Sequence, residues 1–119
     1  MTPHLLSASS LNHYDVVDAE GEKIGKIKDV MIDWAEGRVG YVVLAFGGIM
    51  GLGEKLFAIP VDQFLFRGED RKELVLNVSK EHLKAAPGFN SDDWPEFSDA
   101  EFTNSVYRHY SAAAYWHQK

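Results

Sequence analysis

Residues 21–60 read GEKIGKIKDVMIDWAEGRVGYVVLAFGGIMGLGEKLFAIP, and the side-chain pattern along them decides the fold. Lys23 to Trp34 predicts a strand. In its latter half Val30, Ile32 and Trp34 fall on one face, while Asp29 and Asp33 point the other way. Ile24 shares the parity of that apolar face and Ile27 does not, a conflict that a β-bulge near Lys28 resolves. The polar turn Ala35-Glu36-Gly37-Arg38 has its glycine where a short hairpin loop needs positive φ. Val39 to Phe46 predicts the next strand, with Tyr41, Val43 and Ala45 on one face and Val42, Leu44 and Phe46 on the other. A strand apolar on both faces is covered on both. In so small a domain one face lines the core, and the other needs a helix or a second subunit.

Outward from this stretch, Tyr14 to Asp18 predicts a preceding strand ending at the turn Ala19-Glu20-Gly21-Glu22. Lys55 to Val61, Phe64 to Phe66 and Glu73 to Val78 predict three more, the last two separated by a polar turn over residues 67–72. Short strands at this spacing point to a small all-β barrel of about six strands. Ser79 is placed to cap a short helix running through Ala86 and closed by Pro87-Gly88. Gly88 to Pro95 reads as a loop carrying Trp94. A final helix is signalled by the capping box Ser98-Asp99-Ala100-Glu101 and by Phe97 and Phe102 as a hydrophobic staple. Its apolar stripe is Phe102, Val106, Tyr110, Ala113 and Ala114, widened by Tyr107 and Trp116. The expected organisation is a flexible arm (1–12) whose Leu5, Leu6 and Leu11 can tuck onto the body, a barrel (13–80) and a helical extension (81–119).

The chain has 119 residues, enough for one domain that buries roughly 65% of its unfolded surface without staples. It contains no cysteine, so disulfides and thiolate metal sites are excluded. A formal net charge of −6 argues against a nucleic-acid surface, which needs clustered Lys and Arg. Neither a signal-peptide pattern nor an apolar run of membrane-spanning length occurs, and the expected location is cytoplasmic.

The loop Gly47-Gly48-Ile49-Met50-Gly51-Leu52-Gly53-Glu54-Lys55 resembles a phosphate cradle in its glycine spacing. A P-loop requires G-x-x-x-x-G-K-[ST] opening a helix. Here Glu54 replaces the lysine, Leu56 replaces the hydroxyl, and the following segment is strand-like. A barrel corner explains the glycines better. Asp29 and Asp33 lie about 13 Å apart along a strand at ~3.3 Å per residue. That exceeds the roughly 5–9.5 Å separation of glycosidase carboxylates. Glu20 with Glu22 and Asp92 with Asp93 read as solvated turn residues. His109 and His117 are two helical turns apart, and with His4, His13 and His82 they form no ligand set of metal-site spacing. No G-x-S-x-G elbow is present. Trp34, Trp94 and Trp116 lack the basic groove that base-stacking proteins supply. No catalytic, cofactor-binding or metal residue is assigned.

Taken together, Val16-Val17-Asp18, Gly21 to Ile27, Asp29 to Asp33, Gly37-Arg38-Val39, the Tyr41 to Phe46 strand, the glycine loop and Phe57-Ala58-Ile59-Pro60 resemble a PRC-barrel domain over about residues 10–80. Ala86-Pro87-Gly88-Phe89 and Trp94-Pro95 are similar to stand-alone bacterial members. The family is named for the cytoplasmic domain of the photosynthetic reaction-centre H subunit and includes the C-terminal domain of a ribosome maturation factor. The resemblance implies a six-stranded barrel used as a protein adaptor, without a shared catalytic site, and allows peripheral association with a membrane complex. The two-sided third strand and the aromatic final helix add an expected homodimer burying ~1,200 Å² or more. Its interface is expected at Tyr41, Val43, Phe102, Val106, Tyr110 and Trp116. The alternative is a small-molecule-binding barrel with its ligand beside Gly47 to Gly53.

Overall fold

The computed structural model of the chain describes residues 5–46, 55–67, 73–90, 94–95 and 100–112. After a 3-10 turn (Ala8–His13) come β1 (Asp15–Val17), β2 (Lys23–Asp33), β3 (Arg38–Phe46) and β4 (Lys55–Ile59). A second 3-10 turn (Val61–Gln63) leads to β5 (Phe64–Arg67) and β6 (Glu73–Leu76), then α1 (Lys80–Lys84), β7 (Gly88–Asn90) and α2 (Ala100–His109). The strands form one sheet in the order β5-β6-β1-β2-β3-β4-β7, antiparallel throughout except for the β1–β6 pair.

This ladder corrects the expected closed barrel of about six strands. Among the described residues, seven strands pair and no ladder joins β5 to β7. The reason lies in residues 88–90, which the sequence pattern assigns to a loop. Phe89 pairs opposite Leu56 and Gly88 opposite Phe57, so β7 occupies the edge of β4 that a closing strand would need.

Three bulges shape the sheet. On β2 the register steps from Ile27↔Leu44 to Asp29↔Val43, leaving Lys28 as the extra residue, where the parity conflict predicts it. Against β1, Ile24 is extra between Val17↔Lys23 and Val16↔Gly25. These two breaks let Ile24 and Ile27 both be buried despite their odd spacing. The third is on β3, where Met31↔Tyr41 is followed by Ile32↔Val39 and Gly40 is the extra residue.

The predicted apolar face of β2 is corrected at its far end. Val30 is half-buried, but Ile32 is 52% and Trp34 90% exposed. β1 accompanies β2 only as far as Lys26, so the end of the β2–β3 hairpin carries its apolar side chains beyond the core. The turn itself forms as expected, with Gly37 at φ 65° and its N–H donating to the Asp33 carbonyl at 2.9 Å.

Both faces of β3 are buried from Tyr41 to Ala45, as its pattern requires. They join Leu56 to Ile59, Leu74, Leu76, Leu83 and Phe89 in one continuous cluster. Val106, Tyr107 and Tyr110 of α2 belong to the same cluster. Ser79 caps α1, its Oγ accepting from the His82 N–H at 3.1 Å. Leu11 of the first 3-10 turn packs against the core, whereas Leu5 stays outside it.

Candidate interaction surface

α2 is the element that meets the second face of β3. Its stripe brings Phe102 edge-on to Tyr41, with ring centroids 6.2 Å apart, and to Phe89 at 6.1 Å. Phe89 in turn meets Trp94 at 5.2 Å. One turn further along α2, the Tyr107 hydroxyl donates to the Gly40 carbonyl. The bulge in β3 therefore presents a carbonyl to the helix that covers it, an arrangement no local sequence pattern announces.

Of the residues expected at a subunit interface, Tyr41, Val43, Val106 and Tyr110 are buried within the chain itself, and Phe102 is half-buried against Tyr41 and Phe89. Trp116 lies outside the described residues, as do Ser98 and Asp99 of the capping box, the staple residue Phe97, and the glycine loop from Gly47 to Glu54. The described part of the aromatic stripe, Phe102 to Tyr110, thus finds its cover on the sheet of its own chain.

Burial sets the electrostatics of this contact. Loss of solvent pushes the Tyr41 and Tyr110 phenols well above their ordinary ionisation range. Tyr107 is also raised, chiefly by burial, with Arg38 opposing the shift and Asp62 and Asp33 adding to it. The Tyr110 hydroxyl has no hydrogen-bond partner among the described residues. Far from α2, Asp15 stands 3.0 Å from Lys26 and 3.4 Å from Lys23, and the hydrogen bond from Lys26 chiefly lowers its pKa.

Among the described residues, open clefts accompany the sheet. One of about 400 Å³ is acidic, lined by Asp18, Glu20, Glu22, Asn77, Ser79 and Glu81. Asp18 is buried there for a structural purpose: its Oδ1 accepts from the N–H groups of Glu20 at 3.0 Å and Glu22 at 2.9 Å, holding the β1–β2 turn. Another, about 300 Å³, runs between the first 3-10 turn and Ile27 to Val30. Among the described residues no group of three or more histidines or carboxylates is arranged to hold a metal ion.

What remains on the outside is the hairpin end. Ile32 and Trp34 are large apolar side chains facing solvent two residues apart, and Leu65 on β5 is 57% exposed. An exposed tryptophan is a costly surface residue without a partner and a frequent anchor of protein interfaces.

A mostly-β module with a strongly bulged sheet, a C-terminal helix laid over it and an exposed apolar pair at one hairpin end is defined by these features. The PRC-barrel domain profile matches residues 3–83, more than half of the chain, and the chain belongs to that family. No curated protein matches it. The matched region ends before β7 and α2. Among the described residues no helix is long and apolar enough to cross a membrane.

Proposed function

We propose that the chain is a non-enzymatic protein-interaction module, an adaptor that grips its partner through the projecting end of the β2–β3 hairpin. The observation that carries this reading is Trp34, 90% exposed, with Ile32 beside it on a strand whose other apolar residues pack inward. Membership of a family that is generally non-catalytic and often mediates protein contacts supports it. A cytoplasmic location, alone or beside a membrane complex, goes with the reading. Homodimerisation is part of it too. Since Tyr41, Val43, Val106 and Tyr110 already pack within the chain, the sister subunit would meet the Ile32–Trp34 surface and the outer edge of Phe102.

The test replaces Ile32 and Trp34 with serine and compares the variant with the wild type by native capture and by sedimentation. The expected result is loss of the captured partner, or of the dimer, with a melting temperature close to the wild type, since neither side chain belongs to the buried core. Sedimentation of wild-type protein as a monomer at micromolar concentration would remove the homodimer. Undiminished capture by the variant would remove the hairpin as the docking site.

A further inference from the structure

Two histidines that the sequence reading leaves as ordinary boundary residues form a reciprocal contact between the two helices. His82 lies in the last turn of α1 and His109 is the final residue of α2. Their rings stack with centroids 4.0 Å apart and planes 17° from parallel. His82 Nε2 lies 2.8 Å from the His109 carbonyl oxygen, and His109 Nε2 lies 2.7 Å from the His82 carbonyl oxygen. A carbonyl can only accept, so each Nε2 carries a hydrogen and donates it. Both tautomers are thereby fixed, and a further proton can enter only at Nδ1. Tyr110 meets both rings edge-on, at 5.9 Å from His82 and 5.0 Å from His109.

We propose that this pair is an acid-sensitive clasp that fastens α2 to α1 and so holds α2 over the sheet. A single added proton leaves one ring neutral and creates no pair of like charges. A second proton sets two cations face to face at the stacking distance, and their repulsion opposes closure. The ionisable residues beside them in sequence do not relieve it: Glu81 and Lys84 flank His82 on α1, Arg108 precedes His109 on α2, and no ion pair to either imidazole is found among the described residues. Closure is therefore intact at neutral pH and weakens as pH falls through the range where histidine ordinarily ionises. Opening the clasp loosens the cover over Tyr41 and its neighbours on β3.

The experiment compares the whole chain with the His82→Gln/His109→Gln double variant, in which amide donors replace the rings but cannot titrate. Hydrogen-exchange protection of the Val106 and Tyr107 amides, corrected for intrinsic rates, is measured at pH 7.5 and 5.5. We expect a drop of about five- to tenfold in the wild type and none in the variant, with His13 present in both. NMR titration of the two rings in the wild type supplies a readout independent of the variant's folding. Two separated protonation steps are expected, collapsing to one in His82→Gln or His109→Gln. Equal pH dependence of α2 protection in wild type and variant, or a single uncoupled step for both rings, would overturn the clasp.

Discussion

Gly25 pairs opposite Phe46 on β3, and a Cβ placed there would lie 2.0 Å from the Ala45 carbonyl oxygen. Backbone cannot step aside as a flexible side chain can. Gly25→Ala is therefore expected to cost about 3 kcal/mol or more, read as a lowered urea midpoint. Ser111 is the opposite case. It sits at φ 54° just after α2, with its N–H donating to the Arg108 carbonyl and that of Ala112 to the Tyr107 carbonyl at 2.9 Å. This is a Schellman ending, in which glycine is the favoured residue. Ser111→Gly should stabilise the protein by about 0.5–1 kcal/mol, seen as a raised melting temperature. Both substitutions exchange a glycine with another small residue, and they have opposite signs, because space decides one and φ the other. The bulge at Lys28 was legible because apolar positions on both sides of it disagree in parity. The bulge at Gly40 was not, because both faces of β3 are apolar and parity carries no information there.

At the scale of the element, α2 offers a matched pair of tests. Tyr107 donates its hydroxyl to the Gly40 carbonyl, whereas the Tyr110 hydroxyl is buried with no partner among the described residues. Tyr107→Phe leaves a half-buried carbonyl without its donor and should cost about 1–2 kcal/mol. Tyr110→Phe removes a hydroxyl that gains nothing by burial and should be neutral or stabilising by about 0.5–1 kcal/mol. Chemical denaturation of both variants decides the matter. If they move stability together, the contrast between the two hydroxyls is wrong. The stripe of Phe102, Val106 and Tyr110 was legible as a face that must be covered, since helical spacing reports amphipathicity. What covers it was not legible, because periodicity has no knowledge of the opposite surface. Trp34 marks the same limit from the other side. Strand parity places it on an apolar face, yet burial needs a neighbouring strand, and β1 stops short. β7 escaped notice because three residues are too few for any period to declare itself.

For the molecule as a whole, alkaline pH is the informative stress. Tyr41, Tyr107 and Tyr110 are all shifted upward, first of all by burial. A phenol is neutral while it keeps its proton, so the folded chain holds these protons more tightly than the unfolded one. Their contribution is complete below the ordinary phenol range, near 10.0, and is lost as pH rises through it. Stability should fall steeply above that range. The 295 nm absorbance of these three tyrosines should rise together with unfolding rather than ahead of it. Phenolate formation in a chain with native circular dichroism would contradict the buried arrangement.

β7 has a consequence for solubility. The strand it pairs with, β4, is buried from Leu56 to Ile59 on both faces. Among the described residues, the three residues of β7 are all that pair with its outer edge. Removing them would unpair Lys55, Leu56 and Phe57 and extend a strand rim that carries no charge or proline from Leu56 to Ile59. Such a rim is a template on which further chains can stack. A chain ended at residue 86, which keeps the whole matched family region, is expected to form thioflavin-positive aggregates under conditions where the full chain stays clear. A strand of three residues would then be the sheet's guard against self-assembly.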